Sequence, residues 1–118
     1  MTEINRFFYS LMDNSRLRCL LLLLGEEEVS AGDMTQALGL VQSKVSWHLA
    51  ALRTEGLVVD HREAQRVFYR LHPALPAWMH EILLVCQREL SGQEPFLSDR
   101  AALNHLANRH QRQAIPAN

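Results

Sequence analysis

The first half of the chain carries apolar residues at helical spacing. An amphipathic first helix is indicated by apolar residues three and four positions apart: Ile4, Phe7, Phe8 and Leu11. A second helix is indicated by leucines at the same spacing: Leu17, Leu20, Leu21 and Leu24. Leu22 and Leu23 widen the apolar surface of this second helix, so we expect most of its circumference to be buried.

Two further helices are predicted on either side of Gly39. Ser30 is suited to the N-cap of a short third helix, because its hydroxyl can accept a hydrogen bond from a free backbone amide. Gly39 is suited to end that helix. The fourth helix is predicted from about Val41 to Thr54, with a buried stripe of four residues: Val41, Val45, Leu49 and Leu52.

A β-hairpin and two more helices complete the pattern. Residues 57–59 and 67–69 are rich in β-branched and aromatic side chains, which favour strands, and the polar residues 62–65 lie between them. Apolar residues then recur on one side of a predicted fifth helix from Ala77 to Leu90. A weaker sixth helix is expected from Asp99 to Arg109.

This order of elements describes a fold that is mainly α with a small β-hairpin, the winged helix-turn-helix. The helix after the turn can lie in the major groove of DNA, while the hairpin reaches the neighbouring backbone. We therefore expect a winged-helix DNA-binding and dimerisation domain over residues 1–97. A C-terminal helix with a frayed tail is expected over residues 98–118.

The composition at first gives no sign of nucleic-acid binding. The 118 residues are 47% apolar and 21% charged, as in an ordinary single domain, and the formal net charge is −1. The charges, however, are unevenly placed. Residues 26–34 hold four acids and no base, whereas residues 40–70 hold five bases against three acids. The positive charge is therefore concentrated on the predicted fourth helix and hairpin.

The outward face of the fourth helix carries groups that bind DNA. A helical projection places small hydroxyls, an amide and cations opposite the buried stripe, and no acid precedes Glu55. Such groups hydrogen-bond to base edges and phosphates. We expect six residues of this helix to contact DNA: Gln42, Ser43, Lys44, Ser46, Trp47 and Arg53. The alternative is an ordinary solvated helix face.

The sequence predicts specific roles for several side chains of the fourth helix and the hairpin. Trp47 is expected to touch a thymine methyl group or sugars, and the alternative is packing against the hairpin or a neighbouring molecule. His48, on the inner face, is expected to be a structural histidine with satisfied hydrogen bonds. Arg62, Gln65 and Arg66 lie at the hairpin tip, where they would meet phosphates or the minor groove. The alternative for the tip is a solvated turn.

Three segments resemble the ArsR/SmtB family of winged-helix repressors. They are Leu38–Val58, Asn14–Arg18 and Arg66–Leu71, and they occur in the family's order within a resemblance that covers roughly residues 5–90. The resemblance implies a homodimeric repressor that binds an inverted-repeat operator in double-stranded DNA and releases it when an inducer binds.

The resemblance also implies where the dimer forms and where this chain departs from the family. The dimer interface would use the helices around Ile4–Leu11 and Ala77–Leu90. Val41 stands where the family usually has a serine N-cap, and Trp47 stands where an arginine is common.

No metal site and no cofactor is expected from the resemblance. Ser30 and Gly32 stand where the metal-sensing branch has a Cys-x-Cys motif. Pro76 and Ala77 stand where the first ligand pair of a zinc-type site would be. Only Cys86 and Glu89 have the i, i+3 spacing of the second pair, and half a site does not hold zinc tightly.

Cys19 and Cys86 are the candidate inducer residues. They lie on the second and fifth predicted helices. Three interpretations stay open: buried packing residues, a redox or persulfide switch, and binding of an arsenical or another soft metal. A bridge between the two thiols would alter the spacing of the two recognition helices in a dimer.

Two other classes of protein fit the sequence less well than a repressor does. A winged-helix dimerisation or protein-interaction module without inducible DNA binding is the alternative, and the outward face of the fourth helix argues against it. An enzyme is not expected, because the sequence shows no Gly-rich phosphate loop, paired carboxylate motif or Ser/His/Asp constellation. No signal peptide or membrane-length apolar run is evident, so we expect a cytoplasmic protein without membrane association.

Overall fold

The order of helices and strands agrees with the predicted winged helix-turn-helix. The structure is a computed structural model and describes residues 2–114. Its elements in chain order are α1 (Glu3–Met12), α2 (Asn14–Leu24), β1 (Val29–Ser30), α3 (Ala31–Leu38), α4 (Gln42–Thr54), β2 (Val58–Glu63), β3 (Arg66–Leu71), α5 (Ala77–Leu90) and α6 (Phe96–Ala114). Within residues 2–114, no helix combines the length and the apolar composition that crossing a membrane requires.

The helix-turn-helix is formed by α3, the turn at Gly39 and α4. Ser30 caps α3, since its Oγ accepts a hydrogen bond of 3.1 Å from the Asp33 amide. Gly39 ends α3 in the left-handed region, with φ of +66°, where a side chain would be strained. Val41 precedes α4 and offers no capping hydrogen bond. Both expected helix boundaries are therefore confirmed, and α4 begins without a side-chain cap.

The predicted hairpin is part of a three-stranded antiparallel sheet. β2 and β3 pair from Val58 opposite Leu71 to Glu63 opposite Arg66, so the strands are longer than expected. β1 lies on the other side of β3, which gives the strand order β1-β3-β2. The sequence did not predict β1, because a two-residue strand has too few positions to show an alternating pattern.

The core surrounds α2. Its residues 19–23 are all buried, as the run of leucines predicted. The helices α1, α3, α4, α5 and α6 all pack against α2, so apolar side chains are accommodated around most of its circumference. This central helix fixes the position of the helix-turn-helix relative to α1 and α5.

The C-terminal helix is longer and more firmly attached than the sequence indicated. α6 spans Phe96–Ala114 instead of 99–109, and its Leu103 and Leu106 are buried. Arg100 donates hydrogen bonds to the carbonyl oxygens of Leu21 and Leu22, in the last turn of α2, at 3.1 and 3.2 Å. These attachments are polar and distant in sequence, so apolar periodicity could not reveal them. The expected frayed tail falls partly on residues 115–118, outside the described residues.

Candidate nucleic-acid interface

The helix α4 has one buried face and one exposed face. Four residues pack inward: Val45, His48, Leu49 and Leu52. The six residues expected to contact DNA are all exposed: Gln42, Ser43, Lys44, Ser46, Trp47 and Arg53. Val41 was wrongly expected in the buried stripe. It is 68% exposed, because it lies before the first helical residue in an extended conformation.

Trp47 is the most unusual residue of the exposed face. Its side chain is 65% exposed, which is uncommon for a residue with so much apolar surface. The indole meets the His48 ring edge-on, with a centroid distance of 5.1 Å. A large apolar surface is therefore presented outward beside Ser43 and Lys44, in a position to contact another molecule.

Arg53 connects the end of α4 to the sheet. Its Nη1 lies 2.8 Å from Oδ2 of Asp60, and the arginine side chain stays half exposed. The ion pair holds α4 against β2 and leaves other guanidinium N–H groups free to donate. Sequence reasoning missed Asp60, because its proximity to Arg53 depends on how the strand returns past the helix.

The β2–β3 hairpin, which we call the wing, carries the other three expected DNA-binding residues. Arg62, Gln65 and Arg66 are all exposed. Arg66 nevertheless bends back over the sheet: its Nη2 donates to Oγ of Ser30 at 3.0 Å, and its guanidinium lies 5.0 Å above the Phe68 ring. The wing tip therefore presents Arg62 and Gln65 with Arg66 lying along its face.

His48 is buried as expected, but its hydrogen bonds are not satisfied as expected. The residue is 3% exposed, and neither ring nitrogen has a hydrogen-bond partner among the described residues. Its Nε2 lies 3.8 Å from Oδ1 of Asp13. Burial lowers the pKa of His48, and the nearby Asp13 carboxylate opposes that shift only in part. The imidazole is therefore held in its neutral form.

The two cysteines are free thiols in different environments. Cys19 on α2 is fully buried, and burial raises the pKa of its thiol to about 12 despite the opposing effect of Arg18. Cys86 on α5 is partly exposed, and burial also raises its pKa. The helices that carry the two thiols pack against each other. Neither thiol has the lowered pKa of a preactivated nucleophile.

A second exposed apolar surface lies on α1 and α5. On α1 it consists of Ile4, Phe8, Tyr9 and Met12, which are 46–80% exposed. On α5 it includes Leu84 and Val85, which are 44% and 46% exposed. The two helices meet where the Phe7 and Trp78 rings pack edge-on at 5.3 Å. Several large apolar side chains thus remain uncovered on two adjoining helices.

Comparison with known proteins decides the family. The family model for "Bacterial regulatory protein, arsR family" matches residues 13–59, which span α2, the helix-turn-helix and the start of β2. The chain is also 42% identical, over 94 residues, to an arsenic resistance transcriptional regulator of Pseudomonas putida. That similarity covers 80% of this chain and 79% of the relative. The chain belongs to the ArsR family.

Other ArsR-family relatives agree in sequence and in fold. The arsenical resistance operon repressor of Escherichia coli is 41% identical over 78 residues, which cover 66% of this chain and 67% of that protein. The solved structure of HlyU from Vibrio cholerae has a TM-score of 0.67 at 33% identity and covers 75% of this chain and 91% of its own. The family and these relatives are transcriptional regulators, so the chain is not expected to be an enzyme, as the sequence indicated. The likeness to the solved HlyU structure confirms the winged helix-turn-helix.

Proposed function

We propose that this ArsR-family regulator is a homodimeric repressor that binds an inverted-repeat operator and releases it on an inducer signal. The observation that carries the proposal is the exposed face of α4. This face follows directly on the turn of the helix-turn-helix, and α4 contains no acidic residue from Gln42 to Thr54. In winged-helix proteins a helix in this position reads the major groove.

The distribution of positive charge supports this use of α4 and the wing. Lys44 and Arg53 lie on α4, and Arg62 and Arg66 lie on the wing, all with exposed side chains. Phosphate contacts from such residues release counterions and provide much of the affinity for DNA. A two-fold axis would present this surface twice, so a chain with a net charge of −1 can still bind DNA strongly.

The exposed apolar surface on α1 and α5 supports the homodimer. Exposed aromatic and aliphatic side chains at this density are typical of an interaction surface. Of the possible occupants we favour a second copy of this chain, because the family resemblance implies a dimer through these two helices. Half-sites one helical turn apart lie about 34 Å from each other, so both recognition helices must be held at a fixed spacing.

We include a thiol-based inducer in the proposal, acting through Cys19 and Cys86. Relatives of this chain are named as arsenic and arsenical resistance regulators, and arsenicals react with thiols. Because Cys86 is the more exposed thiol, a reagent would react there first and reach Cys19 only after α2 and α5 separate. If the Cys86→Ser variant still releases DNA on treatment with arsenite, sulfide or an oxidant, the thiol route is wrong.

Operator binding by matched variants tests the proposal. An operator is first selected from random double-stranded DNA, and affinities are then measured by fluorescence anisotropy. We expect Trp47→Ala and Lys44→Gln to weaken binding, and Arg109→Gln, which removes an exposed cation from α6, to leave it unchanged. Failure to select any sequence, with an intact dimer in solution, would support the alternative of a dimerisation or protein-interaction module.

A further inference from the structure

Three potential metal ligands, none of them among the residues proposed to bind DNA, lie on one face of the sheet. In the strand register, Phe68 on the central strand β3 pairs with His61 on β2 and with Ser30 on β1. Side chains alternate between the two faces of a strand. His61 and Glu63 therefore share the face that Phe68 occupies, and Glu28, two residues before Ser30, extends the same face.

The three side chains converge around the His61 imidazole. Its Nε2 lies 3.5 Å from Oε2 of Glu28 and 3.9 Å from Oε2 of Glu63. One potential ligand atom from each residue lies within 4.8 Å of the other two. The His61 ring is stacked on Phe68 with a centroid distance of 5.3 Å and an interplanar angle of 15°, which fixes the plane of the imidazole.

Arg66 lies on the same face of the sheet, but among the described residues it forms no ion pair with Glu28 or Glu63. Arg66 is the cross-strand partner of Glu63, yet its guanidinium bends to Ser30 and lies over Phe68. Two carboxylates therefore lie beside one imidazole on the exposed surface of the sheet. The cluster has the donor types and the negative charge that suit a divalent cation.

We propose that Glu28, His61 and Glu63 form a binding site for a divalent first-row transition metal ion, with zinc as its best representative. Zinc takes histidine nitrogen and carboxylate oxygen at about 2.0–2.2 Å, and sites with three protein ligands keep a water in the fourth position. Tetrahedral bonds of that length place the donor atoms about 3.3 Å apart. Small rotations of two exposed glutamate side chains bring the present distances to that value.

The imidazole sets the selectivity of this site. Magnesium and calcium prefer sets of oxygen ligands, whereas imidazole favours zinc, cobalt, nickel and copper. Cys19 and Cys86 take no part, because they lie on α2 and α5 and not on this face of the sheet. The site therefore has nitrogen and oxygen ligands only.

Zinc competition on the full chain tests the site. The protein is titrated with zinc in competition with a chromophoric chelator, without DNA. We expect one zinc ion per chain for the wild type, and losses of affinity on the order of tenfold or more for His61→Gln and for Glu28→Gln. The matched controls are His80→Gln, an exposed histidine on α5, and Glu27→Gln, an exposed neighbour of Glu28. Both controls should bind as the wild type does.

Cobalt(II) and thermal unfolding identify the ligands independently. The cobalt complex should show weak visible bands without the near-ultraviolet charge-transfer band of a thiolate ligand. Zinc should raise the Tm of the wild type and not that of His61→Gln, because a ligand stabilises only the chain that binds it. Unchanged zinc affinity in both ligand variants, a thiolate band, or equally tight binding of magnesium would overturn the site.

One consequence of the site rests on the proposed function. A bound divalent ion would cancel the two glutamate charges on the face of the sheet along which Arg66 lies, so zinc should tighten operator binding by the wild type and not by His61→Gln. Zinc affinity is measured on the free protein, so a failure of operator binding and a failure of zinc binding are seen separately.

Discussion

Arg18 of α2 and Asp99 of α6 form a bidentate ion pair. Nε and Nη2 of the arginine lie 2.8 and 2.7 Å from the two carboxylate oxygens, and the side chains are only 12% and 5% exposed. The same Nη2 donates to the carbonyl oxygen of Leu38, at the end of α3, at 2.8 Å. The carboxylate raises the pKa of Arg18. One guanidinium therefore joins the C-terminal helix to the central helix and to the helix-turn-helix.

Removing Asp99 should strongly destabilise the fold. Asp99→Asn leaves a largely buried arginine without its counter-charge, a change that typically costs about 3–5 kcal/mol. Urea unfolding at one fixed protein concentration measures the loss. The control is Glu89→Gln, which breaks the pair of Arg88 and Glu89, whose side chains are 71% and 70% exposed. The control should have little effect. A free energy of unfolding for Asp99→Asn within about 1 kcal/mol of the wild type would contradict the structural role of the pair.

Replacing His48 by leucine should stabilise the protein. The substitution removes two buried ring nitrogens that lack hydrogen-bond partners among the described residues, a gain of about 1 kcal/mol at neutral pH. His105→Leu, on the exposed surface of α6, is the matched control and should not raise the free energy of unfolding. If the free energy of unfolding of His48→Leu were equal to that of the wild type or lower, the imidazole would make interactions that this structure does not show.

His48 should also contribute to the pH dependence of stability. Burial lowers the pKa of His48 below the usual value of 6.5. Just below pH 6.5, the unfolded chain therefore binds a proton at His48 that the folded chain does not. The part of the free energy of unfolding that depends on a neutral His48 is therefore fully present above pH 6.5. It is lost as the pH falls through the lowered pKa. The wild type should lose more stability than His48→Leu over that interval. If the free energies of unfolding of the wild type and of His48→Leu change in parallel with pH, His48 is not a source of the pH dependence.

The two thiols should differ in reactivity. Cys19 is fully buried with a pKa of about 12, whereas Cys86 is partly exposed. Iodoacetamide should therefore label Cys86 in the native protein and Cys19 only after unfolding in urea, as read by mass spectrometry. If Cys19 were labelled in the native protein as fast as Cys86, the packing of α2 described here would be wrong.

Lys44 and Trp47 should affect DNA binding in different ways. Lys44→Gln should lower the slope of log affinity against log salt by about two, because each lost phosphate contact lowers it by about 0.9 and a dimer loses two. Trp47→Ala should cost about 1–3 kcal/mol of affinity for the operator and leave the slope unchanged. Binding isotherms at several salt concentrations separate the two effects. Identical slopes for all three proteins would exclude a phosphate contact by Lys44.

Much of the fold could be predicted from local patterns, and long-range polar contacts could not. Helical spacing, the Ser30 cap and the Gly39 turn are local signals, and the structure confirms them. The pair of Arg18 and Asp99 joins positions 81 residues apart and leaves no periodic pattern, so the length and attachment of α6 were missed.

The exposed face of α4 was also predictable, because helix geometry and composition determine it. The surroundings of the residues next to this face could not be predicted from the sequence. Three features all depend on how strands pair and helices pack: the ring nitrogens of His48, which have no hydrogen-bond partner among the described residues, the bend of Arg66 toward Ser30, and the convergence of Glu28 on His61. Sequence spacing does not report such contacts.

Half-site spacing tests whether two copies of this chain read an inverted repeat together. The selected operator is compared by fluorescence anisotropy with a duplex in which one half-site is moved by about five base pairs, half a helical turn. We expect two chains per operator and a large loss of affinity for the displaced duplex, because one recognition helix then faces the wrong side of the DNA. Equal affinity for both duplexes would mean that the two half-sites are not read together by one dimer.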